Sequence, residues 1–533
     1  MVHWTDYAAA GSDRRLQGGE VMNEQRTGII DIGSNSIRLV VYEQTASGAH
    51  RVIDGSKRPA RLSSRITADG TIDEATTREL VEILGHFRLI CAHHRTGTIR
   101  AVATAALRNA ANGEEVIAVL NAETGLHVEL LPGEQEASCG FLGMVNTMDI
   151  QDGFLIDIGG GSTEISLFRD RTLVQSVSFP FGCVSLSRRF LKGGMLDDEG
   201  LKALEAEVSE AARKEPWLTW SPGLPMVGVG GTIRSLAKIH QAVRKYPFPQ
   251  THNYSMPSED AERLFATLRD MPMDKRRKFP GLSKDRVDLI LPGLAVLLLF
   301  RRLTGATEYR VCAAGLRDGL FFASQFPDRP RLDDVLGYSV SNTYALYPEA
   351  PLAHVNQVNR LSLELLDSLK DTQAASSLQS LGGRAAVVLD AASILYRIGA
   401  SIDHAAYPKH TFYLLTNCSL NGMTHRENVL TAAVASFHSR SRLKSQLEPF
   451  ASLLEDSDAE AAALLGSLLQ LAATLDRSET QPVSRLDISI KGSSLQLQAI
   501  RPSGSLALES QEIEDGGREF AKIWGLTPTL SIR

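Results

Sequence analysis

Apolar and polar residues change their spacing several times along this chain, and each change marks an element. Ile29, Ile30 and Ile32 form an apolar, β-branched run that breaks at Gly33-Ser34-Asn35-Ser36 and resumes from Ile37 to Glu43, which predicts two strands and a tight turn. Between Glu74 and Arg95 the period becomes helical, with Leu80, Ile83, Leu84, Phe87 and Ile90 on one stripe. A strand over Ile99 to Thr104, a helix over Glu114 to Glu123 and a strand over His127 to Leu131 follow, and the last delivers Gly133 to Glu136 to a helix start. The plan then restarts, with strands at Phe154 to Asp157, Glu164 to Arg169 and Val174 to Ser178, and helices from Ser185 onward. Strands alternating with helices predict α/β sheets in two lobes, 27–146 and 147–330, facing each other across a cleft. The most apolar run, Leu289 to Phe300, is too short to span a bilayer and carries Pro292-Gly293, so it reads as a buried helix.

From about Arg331 long helical patterns take over, at Val355 to Leu369, Ala385 to Ile398, Val429 to Phe437 and Ala459 to Leu475, predicting an all-helical domain over 331–480. Past Pro482, Leu486 to Ile490 and Leu495 to Ile500 flank Gly492-Ser493-Ser494 as a hairpin. With a helix near Gly517 to Trp524 they predict a small α+β cap over 481–533. Residues 1–26 read as a disordered extension without a signal-peptide core, and Met1 and Met22 both stand as candidate starts.

The first strand-turn-strand is echoed by Leu155-Ile156-Asp157-Ile158-Gly159-Gly160-Gly161-Ser162-Thr163-Glu164. In each copy a strand end delivers an acid, and small residues then let backbone N–H groups approach an anion with no Cβ in the way. Asp31 and Asp157 are thus able to hold a divalent cation, while Ser34, Asn35 and Ser36 offer hydroxyl, amide and backbone donors. One such turn is equally a hairpin's punctuation, and Asp157 alone is equally an Asx cap; the repetition favours phosphate. A third segment, Met226 to Leu236, is an apolar strand, a double glycine and a helix start, which makes another anion seat. Glu136, by type and place, reads as a helix N-terminal acid complementing the macrodipole, and Arg38 as the outward residue of a strand.

In this order, Asp31-Ile32-Gly33-Ser34, Asp157 to Ser162 and Gly230-Gly231-Thr232 resemble the phosphate and nucleotide motifs of the actin-like ATPase superfamily. Within it the chain is most similar to the exopolyphosphatase and guanosine pentaphosphate phosphatase family, and Ala103 to Arg108, Leu131 to Ala137, Gly281 to Asp288 and Ala314 to Leu320 agree. The resemblance implies an α/β fold of two actin-like (ribonuclease H-like) lobes around a cleft, followed by an all-helical HD-like domain and a small α+β domain. It implies phosphate seats at Ser34, Asn35 and Ser36, at Gly159, Gly160, Gly161, Ser162 and Thr163, and at Gly230, Gly231 and Thr232. Glu136 becomes the general base, and Asp157 and Glu164 magnesium ligands beside Asp31. Arg108, Arg286 and Arg317 become anion contacts, with a surface ion pair the alternative for each. In the HD fold a His-Asp pair supplies two metal ligands; Tyr396-Arg397 stands in its place here, and a guanidinium cannot ligate a metal. Metal chemistry is therefore expected to be lost there, despite His354, Asp403, His404 and His410 nearby.

Charge and composition add limits. A formal net charge of −6 argues against a general nucleic-acid binder, although a polyanion can still bind a local basic channel. Lys275-Arg276-Arg277-Lys278, and His438, Arg440, Arg442 and Lys444 with Lys409 and His410, are either solvated faces or parts of such a track. The 5 scattered cysteines suggest buried thiols in a cytoplasmic protein rather than disulfides or zinc. The expected activity is release of terminal orthophosphate from inorganic polyphosphate by water, in a homodimer with no membrane partner. The expected cofactor is magnesium, with manganese an alternative and potassium a stimulant. Hydrolysis of guanosine pentaphosphate is the nearest rival; a kinase or a phosphate-ligand sensor of the same superfamily is the more distant one.

Overall fold

A computed structural model describes residues 25–500 and 504–532, so the expected extension and both candidate starts lie outside the described residues, except for Gln25 and Arg26. The chain divides into two compact units that part between Val335 and Leu336.

The first unit holds two sheets of one design. β1 (Gln25–Ile32), β2 (Ser36–Gln44) and β3 (His50–Pro59) form an antiparallel meander, and β4 (Thr98–Ala103) and β5 (Val128–Leu130) extend it in parallel, in the order β3-β2-β1-β4-β5. β6 (Gly153–Ile158), β7 (Thr163–Arg169) and β8 (Thr172–Phe179) repeat the meander, and β9 (Met226–Val229) and β11 (Glu308–Val311) repeat the parallel extension. β10 (Tyr254–Pro257) adds an antiparallel edge to this second sheet. The expected α/β plan is therefore present twice. β3 was not foreseen, because His50 to Pro59 carries no apolar alternation: it is an edge strand with little to bury.

The central strands are continuous apolar runs because helices cover both faces. Ile29, Ile30 and Ile32 are fully buried. The helix Glu74–His93 is started by Asp73, whose carboxylate accepts from the Thr76 N–H, and it lays Leu80, Ile83, Leu84 and Phe87 on the first sheet's core. In the second lobe the helix Ile290–Thr304 is buried from Ile290 to Phe300. Pro292 does not interrupt it, since a first-turn residue has no helical N–H bond to lose.

The second unit is helical, with Leu352–Leu369, Arg384–Leu395, Tyr407–Asn417, His425–Ala435 and Asp458–Thr474 as its main helices. β12 (Arg485–Lys491) and β13 (Ser494–Ile500) form the expected hairpin, and β14 (Thr527–Ile532), which was not foreseen, joins β13 in parallel after the helix Ala507–Trp524. This α+β segment belongs to the same compact unit, and Trp524 donates its indole N–H to Ser467 at 2.9 Å. His354 is buried and shared between Asp476 (2.7 Å) and the Tyr396 hydroxyl (2.5 Å), and Arg397 pairs with Glu479. Both residues standing at the expected HD position thus have structural partners. No helix among the described residues is long and apolar enough to cross a membrane. All 5 cysteines are free, with Cys91, Cys183 and Cys312 buried.

Candidate active site

The two turns meet at one cavity. Asp31 and Asp157 each stand one residue before the end of β1 and β6, and in the antiparallel register Asp31 faces Arg38 while Asp157 faces Glu164. The turns pack against each other tightly: a Cβ on Gly160 would come within 3.1 Å of the Asn35 backbone nitrogen, and one on Gly161 within 2.8 Å of the Ser34 hydroxyl. Only glycine permits that approach. The third segment closes the cavity from the side, as β9 runs into the helix Gly230–Arg244. Gly230 takes φ of +85°, and Gly231 leaves the space in which the Arg286 guanidinium lies.

The cavity measures about 150 Å³, room for a phosphoryl group and a few waters. Its wall brings together Asp31, Ser34, Asn35, Ser36, Glu136, Asp157, Gly159, Gly160, Ser162, Glu164, Gly230, Gly231, Arg286 and Arg317, all named in advance. Three predicted phosphate residues stand behind it instead. Gly161 packs against the first turn, Thr163 donates its hydroxyl to the Phe181 carbonyl, and Thr232 is buried against Gly293. Arg108 is also off the wall. Its guanidinium donates to Glu136 Oε2 at 2.9 Å and to the Leu131 carbonyl at 2.8 Å, so it orients the expected base rather than contacting the cavity.

Two cationic residues on the wall were missed. Arg38 lines the cavity and donates to Ser36 Oγ at 3.2 Å, which corrects its reading as an outward residue: at this end of β2 the face away from the core is the cleft. Superposing the two motifs would have found it, since Arg38 stands where the second copy has Glu164. Arg234, one turn into its helix, lines the cavity and holds the Gly230 carbonyl at 2.9 Å. Arg276, by contrast, leaves the proposed basic track. It is fully buried, with its donors on the carbonyls of Leu268, Gly194 and Met271. Arg440 is paired with Glu460.

The electrostatics are those of buried like charges crowded on both sides of one cavity. Burial raises Asp31 and Asp157 above the usual carboxylate range, and it raises Glu164 well above, helped by the neighbouring Glu136 and Asp157. Burial also pushes Glu136 up to about 7, against the pull of Arg108. A merely dipole-stabilised acid at a helix N-terminus would be pushed the other way. On the cationic side, burial followed by the charges of Arg317 and Arg234 pushes Arg38 down to about 10, and burial followed by Arg317 lowers Arg234. Crowded carboxylates ask for a cation, and crowded guanidiniums for an anion. Arg317 is aimed by its helix start: Asp318 accepts from the Gly315 N–H at 2.8 Å and from Tyr42 at 3.1 Å, and the Arg317 Nε lies 3.9 Å from Asp31.

Among the described residues no group of three or more His, Cys, Asp or Glu is arranged to hold a metal unaided. Asp157 and Glu164, opposite each other on β6 and β7, offer hard carboxylate oxygens, which fits magnesium bound through one or two carboxylates and completed by phosphate and water.

A model of the Ppx/GppA phosphatase family matches residues 40–325, and one of Ppx/GppA phosphatase domain III matches residues 341–510. Exopolyphosphatase 1 of Mycobacterium tuberculosis and that of Mycobacterium bovis are 28% identical to the chain over 303 residues, covering 55% of it and 87% of each relative. A Ppx/GppA family member from Aquifex aeolicus superposes with a TM-score of 0.51 at 26% identity, over 58% of this chain and 99% of that one. An exopolyphosphatase from Cytophaga hutchinsonii does so at 0.53 and 22% identity, over 58% and 100%, a likeness of fold.

Proposed function

The chain belongs to the Ppx/GppA phosphatase family, and from that premise we propose that it is an exopolyphosphatase, releasing orthophosphate from the end of inorganic polyphosphate by attack of water. The observation that carries the mechanism is Glu136: a carboxyl pushed up to about 7 on the wall of a cavity that also holds guanidiniums and the two turns. A base so tuned takes a proton from water near neutral pH without being trapped in either state. Arg108 fixes its orientation. Amides and hydroxyls of Ser34 to Ser36, Gly159, Gly160 and Ser162 receive the phosphoryl oxygens, and Arg38, Arg234, Arg286 and Arg317 stabilise the charge that spreads over them during transfer. Asp157 and Glu164, with Asp31 beside them, would hold magnesium, which when bound would supply Lewis-acid withdrawal of charge from the phosphoryl group.

Guanosine pentaphosphate uses the same chemistry but brings a base that needs a stacking surface. Among the described residues that line the cavity none is aromatic, which favours the inorganic chain. The test is phosphate release from polyphosphate, from guanosine pentaphosphate and from polyphosphate with an added acceptor. Polyphosphate turnover at the higher kcat/KM, independent of acceptor, is expected. Preference for the nucleotide, or a need for acceptor, would replace the reading. Arg38→Ala should lower kcat/KM about 10- to 100-fold, the worth of one charge-assisted bond to a phosphoryl oxygen. A change under about threefold would return Arg38 to the bystander role first assigned to it.

A further inference from the structure

The segment between β3 and the following short helix does more than connect them. The backbone N–H groups of Ala60 and Arg61 donate to the Asn35 carbonyl at 3.1 and 3.0 Å, and that of Ser63 to the Ser34 carbonyl at 3.2 Å, so the segment is fastened to the first phosphate turn. Arg61 sits there at φ 46°, a left-handed conformation unusual for arginine. Its guanidinium reaches across to the other lobe and donates to Asp288 at 2.8 Å, while Lys57 reaches Asp285 at 3.0 Å. These two acids flank Arg286, whose guanidinium lies on Gly231 in the cavity wall. The Asp288 carbonyl in turn accepts from Ser187, on the helix Cys183–Phe190, whose first amides donate to the carbonyls of Gly159 and Gly160 at 2.9 Å.

We propose that Arg61, seconded by Lys57, is a positioning residue: its ion pair with Asp288 ties the first phosphate turn to the Arg286 segment and the second turn, and so sets where the Arg286 guanidinium stands. The inference rests on the phosphate-cleaving reading above. Both pairs are substantially exposed, at 45% and 31% for Arg61 and Asp288 and 43% and 49% for Lys57 and Asp285, so they add little to stability. Their effect falls on geometry, to which transfer between fixed groups is sensitive.

Arg61→Ala is expected to lower kcat on polyphosphate about tenfold and to weaken binding of inorganic phosphate, read by calorimetry, with the melting temperature almost unchanged. The charge exchange Arg61→Asp with Asp288→Arg should restore most of the loss, since Asp tolerates the left-handed backbone. In an Arg286→Ala background, Arg61→Ala should add less than about twofold, because the group it positions is gone. Asp288→Asn leaves the backbone at Arg61 alone and carries the same expectation should Arg61→Ala fail to fold. An unchanged kcat and phosphate affinity in Asp288→Asn, no recovery on charge exchange, or an undiminished loss without Arg286 would each overturn the proposal. The phosphate affinities stay readable even if polyphosphate proves not to be the substrate, so the two readings fail separately.

Discussion

Glu136→Gln should lower turnover on polyphosphate about 10²- to 10⁴-fold, the usual worth of a positioned proton acceptor, while KM changes little. Glutamine keeps the shape and one hydrogen-bonding oxygen for Arg108, 2.9 Å away, but cannot take the proton. The pH dependence gives a second reading of the same group. The carboxyl is active when ionised and is pushed up to about 7, so wild-type kcat/KM should climb as pH rises through about 7 and level off above it. In the variant that limb should vanish. Steady-state kinetics between about pH 5.5 and 9 test both statements; a variant within a few-fold of wild type, or one with the limb intact, would assign the base elsewhere.

Asp157→Asn should cost about 10²- to 10³-fold in turnover at low magnesium and be partly recovered as magnesium is raised. The loss removes a negative charge and a hard oxygen from the pair that β6 and β7 place opposite each other, Asp157 and Glu164. Burial raises both acids, with Asp31 adding to Asp157 and with Glu136 and Asp157 adding to Glu164, so a cation gains by relieving the repulsion, and its affinity should fall as pH drops and they take up protons. A magnesium titration of activity in both proteins reads the shift. An unchanged activation constant would remove Asp157 from the metal.

Much of this was legible in the chain because the signals were local. Asp31, Gly33 to Ser36 and Asp157 to Ser162 announce strand ends and turns by residue type alone, and a tight turn leaves few places for its donors to point. What failed was non-local. Thr163 and Thr232 lie in the right motifs, but one residue of shift along a strand or helix turns a side chain from the cavity to the core. Arg276 sits in a run of cations that looks solvated; its fork is satisfied by carbonyls from separate segments, and no local pattern reports them. Arg108 was assigned to an anion, and its bond to Glu136 was not foreseen because it spans sequence that only folding brings together. β3 and β14 escaped because edge strands bury too little to impose a pattern.

One consequence of building the first unit from the same sheet plan twice is a matter of direction. A chain of identical phosphates has no head or tail, and two matching lobes alone would offer it two equivalent ways to lie. The strand positions opposite Asp31 and Asp157 break that equivalence, because one carries Arg38 and the other Glu164. A polyanion is drawn toward the first and kept from the second until a cation intervenes. The polarity that the substrate lacks is thus supplied by the site, and a single exchange of sign between duplicated positions is enough to give the cavity one side that takes the anion and one that takes the cation.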